Sequence, residues 1–340
     1  MLYHPVSIGS VNLSGNLFLA PVAGYSDRAF RSVCITGGAN FTYTEMVSAE
    51  ALVRGSDKTE NLMARAENES KYAIQLFGGN PEVMAAAVEI ILSKKKLSSP
   101  PEVIDINAGC PVPKIVKTGA GSALTKDPEH LYRIVNAAVN TSKYLAQGKT
   151  PVPITVKIRL GWDSDHITWK EAAASAIEAG VAAITLHGRT KAQGYEGKAN
   201  WEALGELSSF VKSKTDGKVP VFGSGDVFSP EAAKKMLQET LCDGVMFARG
   251  AMGNPFIFIQ TRELLETGEY NNIPPSKRIS AGLKELKQLI IDCGEISACK
   301  QMRKRFCAYS KGLAEGATLR TKIVAAETES DYLNLFREYC

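Results

Sequence analysis

The chain of 340 residues is long enough for one large domain with a smaller one attached, and its 44% hydrophobic and 22% charged residues exclude intrinsic disorder as the starting expectation. No apolar run reaches bilayer-spanning length, the N-terminus has neither the basic nor the apolar region of an export signal, and the seven cysteines contain no C-x-x-C pair. The net charge of +4 lies entirely in residues 276–340, where twelve Lys/Arg face eight Asp/Glu, while the remainder balances at twenty-eight of each.

These features lead us to expect a cytoplasmic monomer with free thiols, no membrane association and no metal. Cys293, Cys299 and Cys307 lie close together but have no zinc-type spacing and no histidine nearby.

Val6–Ile8 and Val11–Leu13 flank Gly9-Ser10 and predict a hairpin ahead of the main fold. Leu17–Ala20 then reads as a strand ending at Pro21-Val22-Ala23-Gly24, followed by a helix capped by Asp27 and stopped at Gly37-Gly38. Further short apolar strands are predicted at Phe41–Thr44, Ala73–Phe77, Val103–Ile106, Pro153–Ile158, Ala183–Leu186, Val219–Phe222 and Val245–Phe247. Helical patterns separate them, opening at Pro81, Asp127-Pro128, Thr168, Trp201 and Ser229-Pro230. The Lys94–Lys96 run reads as a solvated helix end.

Eight strands alternating with helices, each apolar on both faces, predict a parallel (β/α)8 TIM barrel in the α/β class. A doubly wound open sheet would call for a G-x-G-x-x-G turn after the first strand, and the sequence has none. The barrel is expected to occupy residues 1–266, with a polar linker at 267–275 and a small helical bundle at 276–340. In that last segment Ile279, Leu283, Leu286 and Ile290 share one helical face, as do Met302, Phe306, Tyr309 and Leu313. Leu319 with Ile323, and Leu333 with Phe336, mark two more helices.

The stretch Asp105-Ile106-Asn107-Ala108-Gly109-Cys110-Pro111 carries the most chemistry. Gly109 and Pro111 stop any helix around Cys110 and predict an exposed loop, which continues through Lys114 and Lys117. A thiol beside two lysines can be reactive, with its thiolate favoured. A free cysteine can equally be a small buried hydrophobe, and the local sequence leaves both open.

Barrels of this class hold their chemistry at the carboxyl ends of the strands. Those ends carry Pro21-Val22-Ala23, Glu45, Gln75, Asn107 with Cys110, Lys157 with Arg159, His187 with Arg189, Ser224-Gly225-Asp226 and Ala248-Arg249. Gly223, Gly225 and Gly250 could let a phosphate approach the last two turns, with Arg249 as a forked donor. His187 taken alone is as readily structural as catalytic. Lys157, set between Val156 and Ile158, needs a partner, and an anionic cofactor would supply one.

Eight segments taken in order carry a resemblance to the tRNA-dihydrouridine synthases. They are APVAGYSDRAFR, TEMVSAEAL, QLFGG, DINAGCPVPKIVKTGAGSAL, VKIRLGWD, LHGRTKAQGYEGKANW, FGSGDV and ARGAMGNPFIF, and the C-terminal MRKRFCAYSKGLAEGATLR resembles that family's helical domain. The resemblance implies an enzyme that uses FMN and NADPH to reduce the C5–C6 double bond of uridine in tRNA. It implies FMN contacts from Pro21, Val22, Ala23, Gln75, Lys157, His187, Ser224, Gly225, Asp226, Ala248 and Arg249, with Cys110 as proton donor. Asn107, Lys114, Arg159, Arg189, Lys300, Arg303, Lys304 and Arg305 are the expected substrate and RNA contacts. The family more often has Met at the positions of Val22 and Ala108, and Asn at that of Ser224.

Three other readings stay open at this level. An FMN barrel acting on a small molecule, like dihydroorotate dehydrogenase, would not need a basic helical appendage. A non-catalytic RNA-binding barrel would not keep the strand-end set. An aldolase with Lys157 as Schiff base would be colourless. A dihydrouridine synthase acting on another RNA is a narrower variant of the favoured reading.

Overall fold

The computed structural model describes residues 1–93, 99–313 and 316–339; the Lys94–Lys96 run, Glu315 and Cys340 fall outside them. Strands β1 (Val6–Ile8) and β2 (Val11–Leu13) form the antiparallel hairpin. Strands β3 (Leu17–Leu19), β4 (Phe41–Ser48), β5 (Ala73–Phe77), β6 (Val103–Ala108), β7 (Ile154–Arg159), β8 (Ile184–His187), β9 (Val221–Ser224) and β10 (Gly244–Phe247) pair in parallel and in chain order. Pairing of β10 with β3 closes the barrel.

The strands look apolar throughout because their outward positions meet the helix layer. Leu17, Leu19, Ile74, Leu76, Ile104, Ile106, Val156, Ile158, Ile184 and Leu186 are buried in that layer with the apolar faces of the surrounding helices. The inward positions behave differently. Toward the amino ends of the strands, Phe18, Phe41, Tyr43 and Phe222 pack edge-to-face with one another, and Met246, Ala73 and the hairpin residues Val6, Ile8 and Leu13 join the same cluster. Toward the carboxyl ends, inward positions become polar. Gln75 registers with Asp105 and Asp105 with Thr155; one layer up, Asn107 registers with Lys157, and Arg159 with His187. The floor is therefore aromatic and closed, and the polar groups share the mouth.

Most predicted boundaries fall within a residue or two, and the expected caps Asp27, Asp127 and Ser229 each accept a backbone N–H at a helix start. Asn80 and Asn200, one residue ahead of the predicted starts at Pro81 and Trp201, cap their helices in the same way. Strand β4 runs on to Ser48, past the predicted end at Thr44, through an irregularity between Tyr43 and Met46. Short helices at Ala49–Val53, Asp57–Leu62, Pro113–Val116 and Ser122–Lys126 have too few turns to show a period, and sequence reading leaves them as loops. The helix Ile257–Thr267, which packs against the preceding barrel helix, was also not predicted.

Beyond it, helices Pro275–Cys293, Glu295–Tyr309, Gly316–Ala325 and Glu329–Leu335 gather a separate apolar cluster around Phe306, with Met302, Tyr309, Ile323 and Phe336. Tyr332 fills the place expected for Leu333, which is 44% exposed. Among the described residues no helix is long and apolar enough to cross a membrane.

Bundle and barrel are joined through the helix Arg28–Thr36. Ala29 belongs to the bundle's apolar cluster, and Arg28 pairs with Asp292. At the centre of the joint lies Arg305, with no exposed surface. It donates to the buried Glu285 and to Asp27, and Glu285 also accepts the Tyr309 hydroxyl at 2.6 Å. This overturns the expectation that Arg305 meets RNA: its charge is committed to carboxylates inside the protein.

Removing one partner of such a pair strands the other in low dielectric, so Arg305→Met is expected to cost about 3–5 kcal/mol of stability. Removing Glu285 as well, in Arg305→Met/Glu285→Leu, is expected to recover much of that loss. Urea midpoints of both variants test this, and a single variant as stable as wild type would remove Arg305 from any structural role.

Candidate active site

A cavity of about 400 Å³ opens at the carboxyl ends of the barrel strands. Pro21, Val22, Ala23, Gln75, Asn107, Cys110, Lys157, Arg159, His187, Ser224, Gly225, Asp226, Ala248 and Arg249 all line it. The carboxyl ends of seven of the eight barrel strands, with the segments that follow them, bring one to three of these residues each to the common mouth, and β4 adds Met46, whereas Glu45 does not line the cavity.

Three buried side chains form a chain of hydrogen bonds under the mouth. Gln75 Nε2 donates to Asp105 Oδ2 at 2.6 Å, and Asn107 Nδ2 donates to Gln75 Oε1 at 2.8 Å. Asn107 Oδ1 accepts the peptide N–H groups of Gly109 (3.2 Å) and Cys110 (2.9 Å). Thr155 donates to the other Asp105 oxygen at 2.5 Å. Burial raises the Asp105 carboxyl to about 6, against the pull of Thr155, Gln75 and Lys157.

Cys110 is half-buried, and burial raises its thiol pKa; the Val112 N–H, Arg159 and Lys157 oppose this without reversing it. The local sequence left open whether Lys114 and Lys117 would favour a thiolate here. Both lysines are exposed, and neither is among the groups acting on the thiol. Cys110 keeps its proton.

Lys157 is lowered to about 8 by burial and by Arg159, while Asp105 and Cys110 oppose the shift. His187 is lowered to about 2 by burial and by Lys157, Arg159, Arg189 and Arg249, so its ring is neutral at ordinary pH.

The remaining strand-end groups divide into those that face the cavity and those that build its walls. Arg159 spends its guanidinium on the carbonyls of Gly109 (2.8 Å), Thr190 (2.8 Å) and Gly194 (3.1 Å), so it ties the loop after β6 to the loop after β8 at the mouth. Arg189 is 2% exposed and is not among the residues lining the cavity; it pairs with Asp226 at 2.7 Å and holds the Glu196 and Gly197 carbonyls. That placement does not suit the RNA contact expected of it. Arg249 reaches Asp226 at 3.4 Å, with its guanidinium carbon 4.6 Å from the ring centre of Tyr195 and 4.9 Å from that of Phe228.

Gly225, at φ +117°, lets its turn sit directly on His187, where an added Cβ would come within 2.9 Å of the ring. Gly223 and Gly250 serve packing rather than phosphate approach. A Cβ on Gly223 would strike Leu204 and Met236, and one on Gly250 would strike the Val227 carbonyl.

In the bundle, Lys300 is exposed. Arg303 donates to the Ala326 carbonyl at 3.3 Å and approaches Glu327 at 3.9 Å. Lys304 donates to the Gly24 carbonyl at 2.8 Å. Of the four bundle residues expected at RNA, Lys300 alone makes no such bond to the described residues.

Sequence reading missed Asp105 and Tyr195 as site residues. A charged residue in an otherwise apolar strand singled out Lys157, and the same signal was present at Asp105. Tyr195 is 61% exposed on the loop after β8, with its ring tilted over His187 at 6.4 Å.

Fold and site together define a (β/α)8 barrel with a cationic cavity at its mouth and a helical bundle beside it. A family model described as dihydrouridine synthase matches residues 18–339. A probable tRNA-dihydrouridine synthase of Treponema pallidum is 52% identical over 339 residues, covering 100% of this chain and 97% of that protein. A tRNA-dihydrouridine synthase B of Pseudomonas putida is 33% identical, over 95% of this chain and 90% of that protein. The chain belongs to the dihydrouridine synthase family.

Among solved structures, a 2-naphthoyl-CoA reductase shares the fold at a TM-score of 0.56 and 10% identity, over 76% of this chain and 51% of its own. The DHODH of Eimeria tenella in complex with ferulenol does so at 0.54 and 14%, over 85% of each chain.

The depressed His187 gives a pH signature. Below its ordinary value near 6.5, the unfolded chain binds a proton that the native chain refuses, so stability falls as pH falls. Between pH 7.5 and 5.5 this single site is expected to cost the ligand-free protein about 1.4 kcal/mol. Denaturant unfolding of wild type and His187→Gln isolates it: the difference in stability between the two should shift by that amount, and a constant difference would mean His187 is not held neutral.

Proposed function

We propose that this protein is an FMN-dependent tRNA-dihydrouridine synthase. On this reading it works in the cytoplasm and reduces the C5–C6 double bond of uridines in tRNA, with NADPH as reductant and Cys110 as proton donor. The observation that carries the reading is a half-buried cysteine at the mouth of a cavity lined by cationic groups, in a chain of this family.

The residues fit FMN. Lys157 has no hydrogen-bond or ion-pair partner among the described residues, although burial makes an isolated ammonium costly. Gln75 and neutral His187 offer hydrogen bonds, and Arg249 stands at the rim with an exposed guanidinium face. When bound, FMN supplies the hydride chemistry, delivering to C6 of the uracil a hydride that originates from NADPH.

The chain's own part is to hold, orient and protonate. Lys157 would neutralise negative charge on the flavin ring, and Arg249 and the Gly225 turn would meet the phosphate end. Addition at C6 leaves negative charge on C5 and O4 of the base. The Cys110 Sγ–H bond breaks as a C5–H bond forms, leaving a thiolate that Arg159 and Lys157 stabilise. A thiol kept protonated by burial suits this task better than a thiolate would. Tyr195 and Phe228 give the rim apolar surface where an unstacked base could enter.

The RNA backbone is read chiefly through charge. Lys300, Lys311, Arg320 and Lys322 are exposed on the bundle, and Lys114 is exposed beside the Cys110 loop.

Visible absorption of the purified protein tests the cofactor directly, and a colourless protein that does not take up FMN would overturn the reading. Cys110→Ala is expected to fold, bind FMN and accept reduction by NADPH, yet lose about 10²–10⁴-fold in dihydrouridine formation. Product at the wild-type rate in that variant would remove Cys110 as donor. Lys300→Glu/Arg320→Glu/Lys322→Glu is expected to weaken tRNA binding and flatten its salt dependence, by roughly one slope unit or less for each phosphate the variant no longer neutralises, with flavin content unchanged. A wild-type salt slope would place the RNA elsewhere.

A further inference from the structure

The chain of hydrogen bonds beneath the cavity has a direction, and both of its ends are fixed by chemistry. At one end, ionised Asp105 can only accept; at the other, the peptide N–H groups of Gly109 and Cys110 can only donate. Between them lie two amides, Gln75 and Asn107, each of which could in isolation sit either way round. Because Asp105 accepts, Gln75 must turn its Nε2 toward it and its Oε1 toward Asn107. Asn107 must then present Nδ2 to Gln75 and Oδ1 to the two peptide groups. Reversing either amide would set donor against donor at one end and acceptor against acceptor at the other. Asp105 is 1% exposed and Gln75 1%, so water cannot repair such a mismatch cheaply.

We propose that Asp105 is a positioning residue that acts through Gln75 and Asn107: it sets the orientation of both cavity-facing amides and thereby fixes the peptide N–H of Cys110. Thr155 holds the carboxylate from its other side, so the orienting group is itself seated. The register of the barrel makes this possible, since Gln75, Asp105 and Thr155 stand side by side on three adjacent strands. The amide edges that Gln75 and Asn107 show to a ligand are thus determined from below, before any ligand arrives. The Cys110 turn is also held by a residue five positions away in sequence, reached through a neighbouring strand.

The proposal separates cleanly from a purely electrostatic role for Asp105 as the counter-charge of Lys157. Asp105→Asn removes the charge but keeps the relay. Its Oδ1 can accept from Gln75 while its Nδ2 donates to Thr155, whose hydroxyl accepts as well as it donates. Asp105→Leu removes both. Hydrogen exchange of the peptide spanning Asn107–Val112 reads the relay directly, in the full-length protein with FMN added and flavin occupancy matched by visible absorption.

Asp105→Leu is expected to lose protection at Gly109 and Cys110, with exchange there about tenfold faster, the scale of one broken hydrogen bond. Asp105→Asn is expected to exchange like wild type. If Asp105→Leu does not fold, Gln75→Leu cuts the same chain at its middle with Asp105 still present, and must also release those two amides. Wild-type protection in Asp105→Leu or Gln75→Leu would overturn the relay, as would an Asn variant that exchanges as fast as the Leu variant.

The catalytic consequence rests on the reading of Cys110 as proton donor, whereas the exchange measurement needs neither tRNA nor NADPH. Dihydrouridine formation, low in Asp105→Leu and near wild type in Asp105→Asn, is then expected as the readout in turnover. A relay intact by exchange but without this pattern would fault the donor assignment and leave the positioning role standing.

Discussion

Everything at this site follows from the alternation of side chains in a closed parallel sheet. Each barrel strand has only two or three inward positions, and the eight strands share one interior. Aromatic rings take the lower share, where Phe18, Phe41, Tyr43 and Phe222 fill the barrel edge-to-face, and polar groups take the upper share. A polar group in the lower layer would be buried without a partner. An aromatic ring in the upper layer would close the cavity. The hairpin β1–β2 fits the same logic, since its apolar residues join the aromatic cluster and leave the other end of the barrel open.

Burial then decides protonation. Asp105, Cys110, Lys157 and His187 all shift toward their neutral forms, and burial is the leading cause for each. The result differs from a site tuned by paired charges. Cys110 has two cations near it and still keeps its proton, because partial removal from water outweighs their pull. His187 is surrounded by Lys157, Arg159, Arg189 and Arg249, and adding a proton there would mean adding a fifth positive charge to the group. Such a concentration of cationic groups, relieved within the protein mainly by Asp105 and Asp226, is a site whose electrostatic balance is completed by an anion.

The sequence made the barrel legible because its punctuation is local. Asp27, Asn80, Asp127, Asn200 and Ser229 cap helices through bonds to residues three positions on. The strand ends were legible because a charged or amide residue stands out at the end of an apolar run. Groups whose partners are distant were not. Arg305 reads as one more member of a basic run, yet its carboxylates lie 20 and 278 positions away. Arg189 likewise finds Asp226 on the next strand's loop. Periodicity gives the face of a helix, but it cannot say which charged face another domain covers. Tyr332 and Leu333 make the same point in miniature, because adjacent large apolar residues are separated only by what packs above them.

The joint between bundle and barrel gives that basic run two distinct jobs. Lys304 and Arg305 both reach the Gly24 carbonyl, and both lie over the ring of Tyr25, at 5.1 and 4.8 Å. Gly24 in turn donates its N–H to Glu45 and follows Ala23 directly, so this segment is also part of the cavity wall. On the other side, Gly253, at φ +73°, meets the carbonyl carbon of Ala308 so closely that an added Cβ would stand 2.4 Å from it, and the neighbouring Met252 lines the same cavity. The helix Glu295–Tyr309 therefore touches two separate wall segments, one after β3 and one after β10, which are adjacent strands where the barrel closes. Its inward basic residues satisfy carbonyls and carboxylates at that seam, and Lys300 remains in solvent. A positive net charge in the last segment is thus only partly a surface property. Some of it is internal structure, and the exposed remainder is what is left to meet a polyanion.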